Sequence, residues 1–226
     1  GEYMLYLVVT GVLSLIGMYI SNRLKSKFNH YSQVGLRSGK SGQEIAREML
    51  EYYGIYDVKI VQGEGFLSDH YNPSTKTVSL SPAVYAGRSV AAAAVAAHEC
   101  GHAVQHDTSY SMLELRSSLV PFVKYASAAQ QWLLIMALML LGTIPQLLLV
   151  VIIAFVVTTA FSFVTLPVEF DASKRALAWL DESGVTQGAE YEGAKDALWW
   201  AAMTYVSAAL ASLVTLVYLV MRYASR

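Results

Sequence analysis

Over much of this chain apolar positions do not alternate with polar ones; they run on. Tyr3 to Ile20, Tyr125 to Gly142, Thr143 to Val168 and Ala197 to Met221 carry no charged residue. Each run is long enough to cross a hydrocarbon core of ~30 Å at about 1.5 Å per helical residue. The pattern predicts four transmembrane helices, over 3–22, 117–142, 143–168 and 197–222. Gly142-Thr143-Ile144-Pro145 leaves room only for a tight turn, so the second and third spans form a helical hairpin, and Pro167 is expected to close the third.

The remaining segments, 23–116 and 169–196, have the mixed pattern of folded structure. Ser41-Gly42-Gln43-Glu44 is a capping box that opens a helix to about Tyr53, stopped at Gly54. Ile45, Met49 and Tyr52 give that helix one apolar face for core packing. Asp57 to Gln62 alternates as a strand, and Phe66 to Tyr71 with Lys76 to Leu80 read as a hairpin around Asn72-Pro73-Ser74-Thr75. Pro82 ends the last strand. Ser89 is placed to cap a helix over Val90 to Val104, which holds no proline and no β-branched run. Further on, a helix is expected from about Asp171 to Glu182, ended by Gly184, and another from about Tyr191 into the fourth span.

Composition narrows the class. With 55% hydrophobic and 15% charged residues among 226 and a mean hydropathy of +0.41, this is no ordinary soluble domain. The first span lacks a positive flank ahead of it, while Arg23, Lys25 and Lys27 follow it, so it is not read as a secretory signal. By the positive-inside rule its start lies outside and Arg23 onward inside. A first residue of Gly1 in place of Met reads as a start that is either processed or left over from expression. A net charge of −1, with no basic-aromatic patch, gives no reason to expect a nucleic-acid partner. The lone Cys100 cannot form an internal disulfide, so no oxidising compartment is implied for the polar part.

The chemistry is concentrated in Ala97-His98-Glu99-Cys100-Gly101-His102. An H-E-x-x-H spacing on a helix stacks His98 and His102 on one face, where both imidazoles can reach one ion. Glu99, one residue on, sits beside that ion and can take a proton from the attacking water, the general-base role in zinc peptidases. Cys100 is turned away by the helix and is expected to pack.

A catalytic zinc site needs a third protein ligand, with the fourth position left to water. His106 shares the helical face but lies about 12 Å along the axis from His98, too far for one ion unless the helix breaks. Glu169 is the better candidate, because the membrane hairpin that leaves just after the motif helix returns it to the same side. The bland alternative is a carboxylate capping the helix that begins near Asp171.

Asp69-His70-Tyr71-Asn72-Pro73, the run from Ala96 to His106, and Pro167-Val168-Glu169-Phe170-Asp171-Ala172-Ser173 together resemble the YugP-type neutral zinc metallopeptidases, over essentially the whole chain. More distantly the sequence is similar to the HtpX-type membrane gluzincins, which also place a transmembrane hairpin between H-E-x-x-H and a glutamate ligand. The resemblance implies that His98, His102 and Glu169 bind Zn2+ and that Glu99 is the catalytic base. It implies a mainly α membrane protein: four transmembrane helices plus an inner-face zincin-like domain with a small β-sheet, in a bacterial cytoplasmic membrane with its site on the cytoplasmic side. The distant family carries an Asp four residues after its glutamate ligand. Here that position is Ser173, so the family's orienting carboxylate has no counterpart, and Asp171 is the nearest substitute for holding a ligand histidine.

The resulting expectation is a membrane-anchored zinc endopeptidase acting on peptides or proteins, membrane proteins among them, with the lipid bilayer as its other partner. His70, Tyr71, Arg175 and Tyr205 are the conceivable donors to the tetrahedral oxyanion. Two other readings compete: a metal-stabilised scaffold without hydrolysis, which would have no need of Glu99, and an intramembrane-cleaving zinc protease. The second requires H-E-x-x-H inside a span, but Ser89 to Ala97 is half the needed length and Gln105, His106 and Asp107 follow. A transporter would show ionisable residues within its spans, and these hold almost none beyond Lys124.

Overall fold

A computed structural model describes residues 1–225. In chain order the elements are α1 (Glu2–Ser32), α2 (Gly42–Tyr52), β1 (Lys59–Gln62), β2 (His70–Asn72), β3 (Thr77–Leu80), α3 (Pro82–Tyr85), α4 (Val90–Asp107), α5 (Ser111–Met139), α6 (Pro145–Glu182) and α7 (Ala189–Ala224). They divide between two compact units.

One unit comprises Ser21–Leu113 and Val168–Met203. After the end of α1, helix α2 starts as its sequence dictates: Ser41 Oγ accepts from the Glu44 N–H while Glu44 Oε1 accepts from the Ser41 N–H, both ends of a capping box. Ile45, Met49 and Leu50 are fully buried. Three strands form a sheet in the order β1-β3-β2, with β1 parallel and β2 antiparallel to β3. The β2–β3 hairpin turns where expected, at an Asx turn in which Asn72 Oδ1 accepts the Ser74 and Thr75 N–H groups. Val78 and Leu80 of β3 are fully buried, and β2 is an edge strand packed beside α4. Between β3 and α4 stands the short helix α3, which begins at Pro82, a residue suited to a first helical turn. Ser89 caps α4 by accepting from the Ala92 N–H at 3.1 Å. α4 is the centre of the unit, and Ala91 to Ala94, Ala96 and Ala97 are all essentially inaccessible.

The other unit comprises Gly1–Ile20, Glu114–Pro167 and the residues from Thr204 on. Its core gathers Ala137, Leu141, Leu148, Val151, Phe155 and Leu219. Tyr6 stacks on Tyr218 at 3.9 Å between ring centroids. Two polar pairs lie within it: Thr158 Oγ1 donates to Gln130 Oε1 at 2.7 Å, and Thr159 and Ser212 share a hydrogen bond of 2.6 Å.

Among the described residues three helices are long and apolar enough to cross a membrane: α1, α6 and α7. The helix holding the second expected span, α5, is not among them, because Lys124 and the Gln130-Gln131 pair dilute it and it ends at Met139. A second expectation needs correction. Pro167 does not close a helix; α6 runs unbroken through it to Glu182. A proline inside a helix forfeits one backbone hydrogen bond, and here the helix persists because the turn after it is packed: Val168 and Ala172 are fully buried. Glu169 is therefore a mid-helix residue, and the alternative in which it caps a helix starting near Asp171 is removed.

Candidate metal centre

The two histidines and the distant glutamate converge. Nε2 of His98 lies 2.8 Å from Glu169 Oε2, and Nε2 of His102 lies 2.9 Å from the same oxygen. One ligand atom from each of the three falls within 4.8 Å of the others. Helical spacing accounts for the pair: residues four apart on α4 present their rings to one side, 4.9 Å apart between centroids. The third donor comes from α6, whose backbone can approach α4 because residue 101, between the histidines, is glycine. His102 and Glu169 are buried, and the side chain of His98 retains 13% exposure. Glu99, on the same turn, is 8% exposed.

Hydrogen bonding around His102 tests whether these residues suit a cation. Gln105 is fully buried. Its Nε2 donates to the Val168 carbonyl at 2.8 Å and to Asp171 Oδ2 at 2.9 Å, two groups that can only accept. That fixes the orientation of the amide and leaves Gln105 Oε1 facing His102 Nδ1 at 2.9 Å. Nδ1 must then carry the proton. In the neutral ring, Nε2 is left with a lone pair aimed at a carboxylate oxygen. Two acceptors at hydrogen-bond distance need a proton or a cation between them, and a divalent ion with N/O preference can take that place. The donor set of two imidazoles and one carboxylate is the one found in catalytic zinc sites, so the residues fit the ion that the sequence implies.

His98 is held differently, with its Nδ1 2.9 Å from Ser173 Oγ. The serine stands where the distant family has its aspartate, and it reaches the ligand histidine itself. Asp171 instead accepts from Gln105 and from Arg175 Nε, the latter at 2.6 Å. Its hold on His102 is one residue removed.

The other candidates lie elsewhere. His106 is turned toward Tyr71, with Tyr71 Oη 2.7 Å from its Nδ1, in a small cavity also lined by Asp57 and Lys76. Burial first, then the charges of Asp57 and Asp107, push the Tyr71 hydroxyl up to about 12. His70 is exposed, and its Nδ1 is 2.9 Å from the Ser68 carbonyl. Cys100 is buried and donates to the Ala46 carbonyl, as a packing residue would, and burial pushes its thiol well above the usual range. Sequence reasoning missed Gln105, Gly101 and the Ser173 contact. A glutamine three residues after a ligand histidine on a helix centre was the available signal for the first.

Over residues 5–224 the chain matches the protein family described as "Putative neutral zinc metallopeptidase". It is similar to the "Putative membrane protease YugP" of Bacillus subtilis (strain 168), at 42% identity over 218 residues, covering 96% of each chain. No solved structure matches it.

Proposed function

The chain belongs to the neutral zinc metallopeptidase family, and on that premise we propose that it is a membrane-anchored zinc endopeptidase. It hydrolyses peptide bonds at the inner face of a bacterial cytoplasmic membrane. The observation that carries this reading is the approach of Glu169 to within 3 Å of both motif histidines, with Nε2 of each ring directed at its carboxylate. His98 Nε2, His102 Nε2 and Glu169 hold the ion. When bound, zinc supplies Lewis acidity toward a water molecule and a peptide carbonyl. Glu99 takes the proton of the attacking water on its carboxylate and returns it to the departing amine. Gln105 and Ser173 keep the two rings oriented. The free edge of β2, beside α4, offers backbone groups to an extended substrate.

The same geometry argues for four crossings. If α6 crosses the bilayer between the turn at residues 140–144 and Glu169, that turn lies on the side opposite the metal centre. The chain leaves the centre's side after α4, so α5 must cross too. Its amphipathic character suits a packed span. Gln130 is satisfied by Thr158, whereas Trp132, Ile135 and Met139 are 74%, 74% and 78% exposed and suit lipid. α4, by contrast, is not among the helices apolar enough to span, which argues against cleavage within the bilayer. The basic residues Arg23, Lys25 and Lys27, in the C-terminal third of α1, favour a centre on the cytoplasmic side.

Replacing Glu99 with Gln tests the core of this reading. Zinc content should be retained, while cleavage of an unstructured protein such as casein falls by about 10²-fold or more, the scale of a lost general base. Undiminished turnover with zinc bound would refute the mechanism. A parent protein that binds zinc and cleaves nothing would favour the scaffold.

A further inference from the structure

A cavity of about 390 Å³ lies between α6 and α7, lined among others by Phe170, Lys174, Leu177, Lys195, Leu198 and Trp199. Its volume falls in the ~300–1,000 Å³ range of small-molecule sites. The lining is apolar apart from a few groups, of which the two lysines are the only charges. Both lysines are exposed, and among the described residues neither has an ion-pair or hydrogen-bond partner. Their neighbours do: Lys27 pairs with Asp196 at 2.8 Å and Arg175 with Asp171 at 2.6 Å. The acid one turn before Lys195, Glu192, is exposed and not paired with it.

The lining is ordered along both helices. Lys195 is the last cationic residue of α7 before its uncharged stretch, followed only by Asp196, which is paired with Lys27, and Leu198 and Trp199 come next on the apolar side of it. On α6, Phe170 precedes Lys174 on the side of that helix's own apolar run, while Leu177 and the phenol-bearing Tyr191 continue the lining beyond the lysines. Cations above, apolar and indole surface below, is the arrangement that holds an anionic amphiphile at a membrane boundary. We propose that this cavity binds the headgroup of an anionic phospholipid, its phosphate between Lys174 and Lys195 and its first acyl carbons on Phe170, Leu198 and Trp199. The proposal rests on α7 crossing the bilayer. It also reaches the metal centre, because Ser173 both lines the cavity and contacts His98 Nδ1. Lipid occupancy then steadies the turn of α6 that carries Glu169.

The full chain in neutral detergent, titrated with short-chain phosphatidylglycerol or phosphatidylcholine of equal chain length, provides the test, read as lipid retained in native mass spectrometry and as thermal shift. Retention of phosphatidylglycerol should exceed that of phosphatidylcholine by on the order of 10- to 30-fold, the scale of two lysines facing one anionic headgroup. Lys174→Gln/Lys195→Gln should abolish the preference, Lys174→Arg/Lys195→Arg should restore it, and the charge-matched Lys25→Gln/Lys59→Gln should leave it unchanged. Equal retention of the two lipids, or a preference that survives the Lys174/Lys195 change, would overturn the proposal. So would an equal thermal shift from inorganic phosphate, or a Lys174/Lys195 variant whose only defect is a raised KM for peptide. None of the lipid readouts depends on peptidase activity, so a catalytically inert chain would leave this test intact.

Discussion

The carbonyl oxygen of Ala172 lies 2.5 Å from the point where a β-carbon on Gly101 would stand, with the carbonyl carbon and Cα of the same residue at 3.1 and 3.2 Å. The glycine between the motif histidines is thus the seat of α6, three residues beyond Glu169. A Gly→Ala change inside an exposed helix would stabilise it by ~1 kcal/mol. Here the obstructing atoms are backbone, which cannot rotate away, and overpacking of this kind typically costs about 1–3 kcal/mol. Gly101→Ala should therefore lower both thermal stability and zinc affinity. A variant more stable than its parent, with zinc affinity intact, would mean that α6 is not held where it is by this contact.

Gln105 gives the sharpest prediction about the metal centre. Gln105→Ala removes the acceptor for His102 Nδ1 and leaves the Val168 carbonyl and Asp171 short of a donor, so zinc affinity should fall about 10–100-fold by chelator competition. Gln105→Glu keeps an acceptor for the ring but sets a carboxylate against Asp171, and should weaken zinc binding by a different route. Adding Asp171→Asn supplies an N–H donor to that new carboxylate and should recover part of the loss. No recovery in the double variant would show that the Gln105–Asp171 contact does not set the orientation of His102.

Ser173 offers a contrast of sign. It touches His98 through one hydroxyl, so Ser173→Ala should reduce zinc affinity less than Gln105→Ala does. Ser173→Asp places a carboxylate behind the ligand ring, which raises ligand basicity, and should tighten zinc binding. Isothermal titration of the two variants checks the order; a weaker site in the Asp variant would refute it.

What the sequence made legible follows from how local each signal is. The capping box at Ser41 and Glu44, the Asx turn at Asn72 and the His98–His102 pair are set by neighbours a few residues apart, and all three stand as expected. Glu169 could be nominated from chain topology because two apolar runs carry it away and back. Pro167 misled, since a local helix-breaking rule was overridden by packing that only the folded unit supplies. Gly101 was invisible for the same reason, and Gln105 offered only its spacing from His102. Nothing near them in sequence records that Ala172, Val168 and Asp171 will arrive from α6.

The parity argument for α5 can be tested without touching the metal centre. Cys100 is buried and its thiol is held protonated by burial, so it should be silent to a membrane-impermeant maleimide and can remain in place. Single cysteines introduced at Thr143, in the turn between α5 and α6, and at Ser74, in the turn between β2 and β3, report on the two sides. In intact cells the Thr143→Cys variant should label and the Ser74→Cys variant should not; after permeabilisation both should label. Labelling of both positions, or of neither, before permeabilisation would put the turn and the sheet on one side of the membrane. In that case α5 and α6 could not both cross as a hairpin, because Glu169 reaches His98 and His102 in the same unit as that sheet.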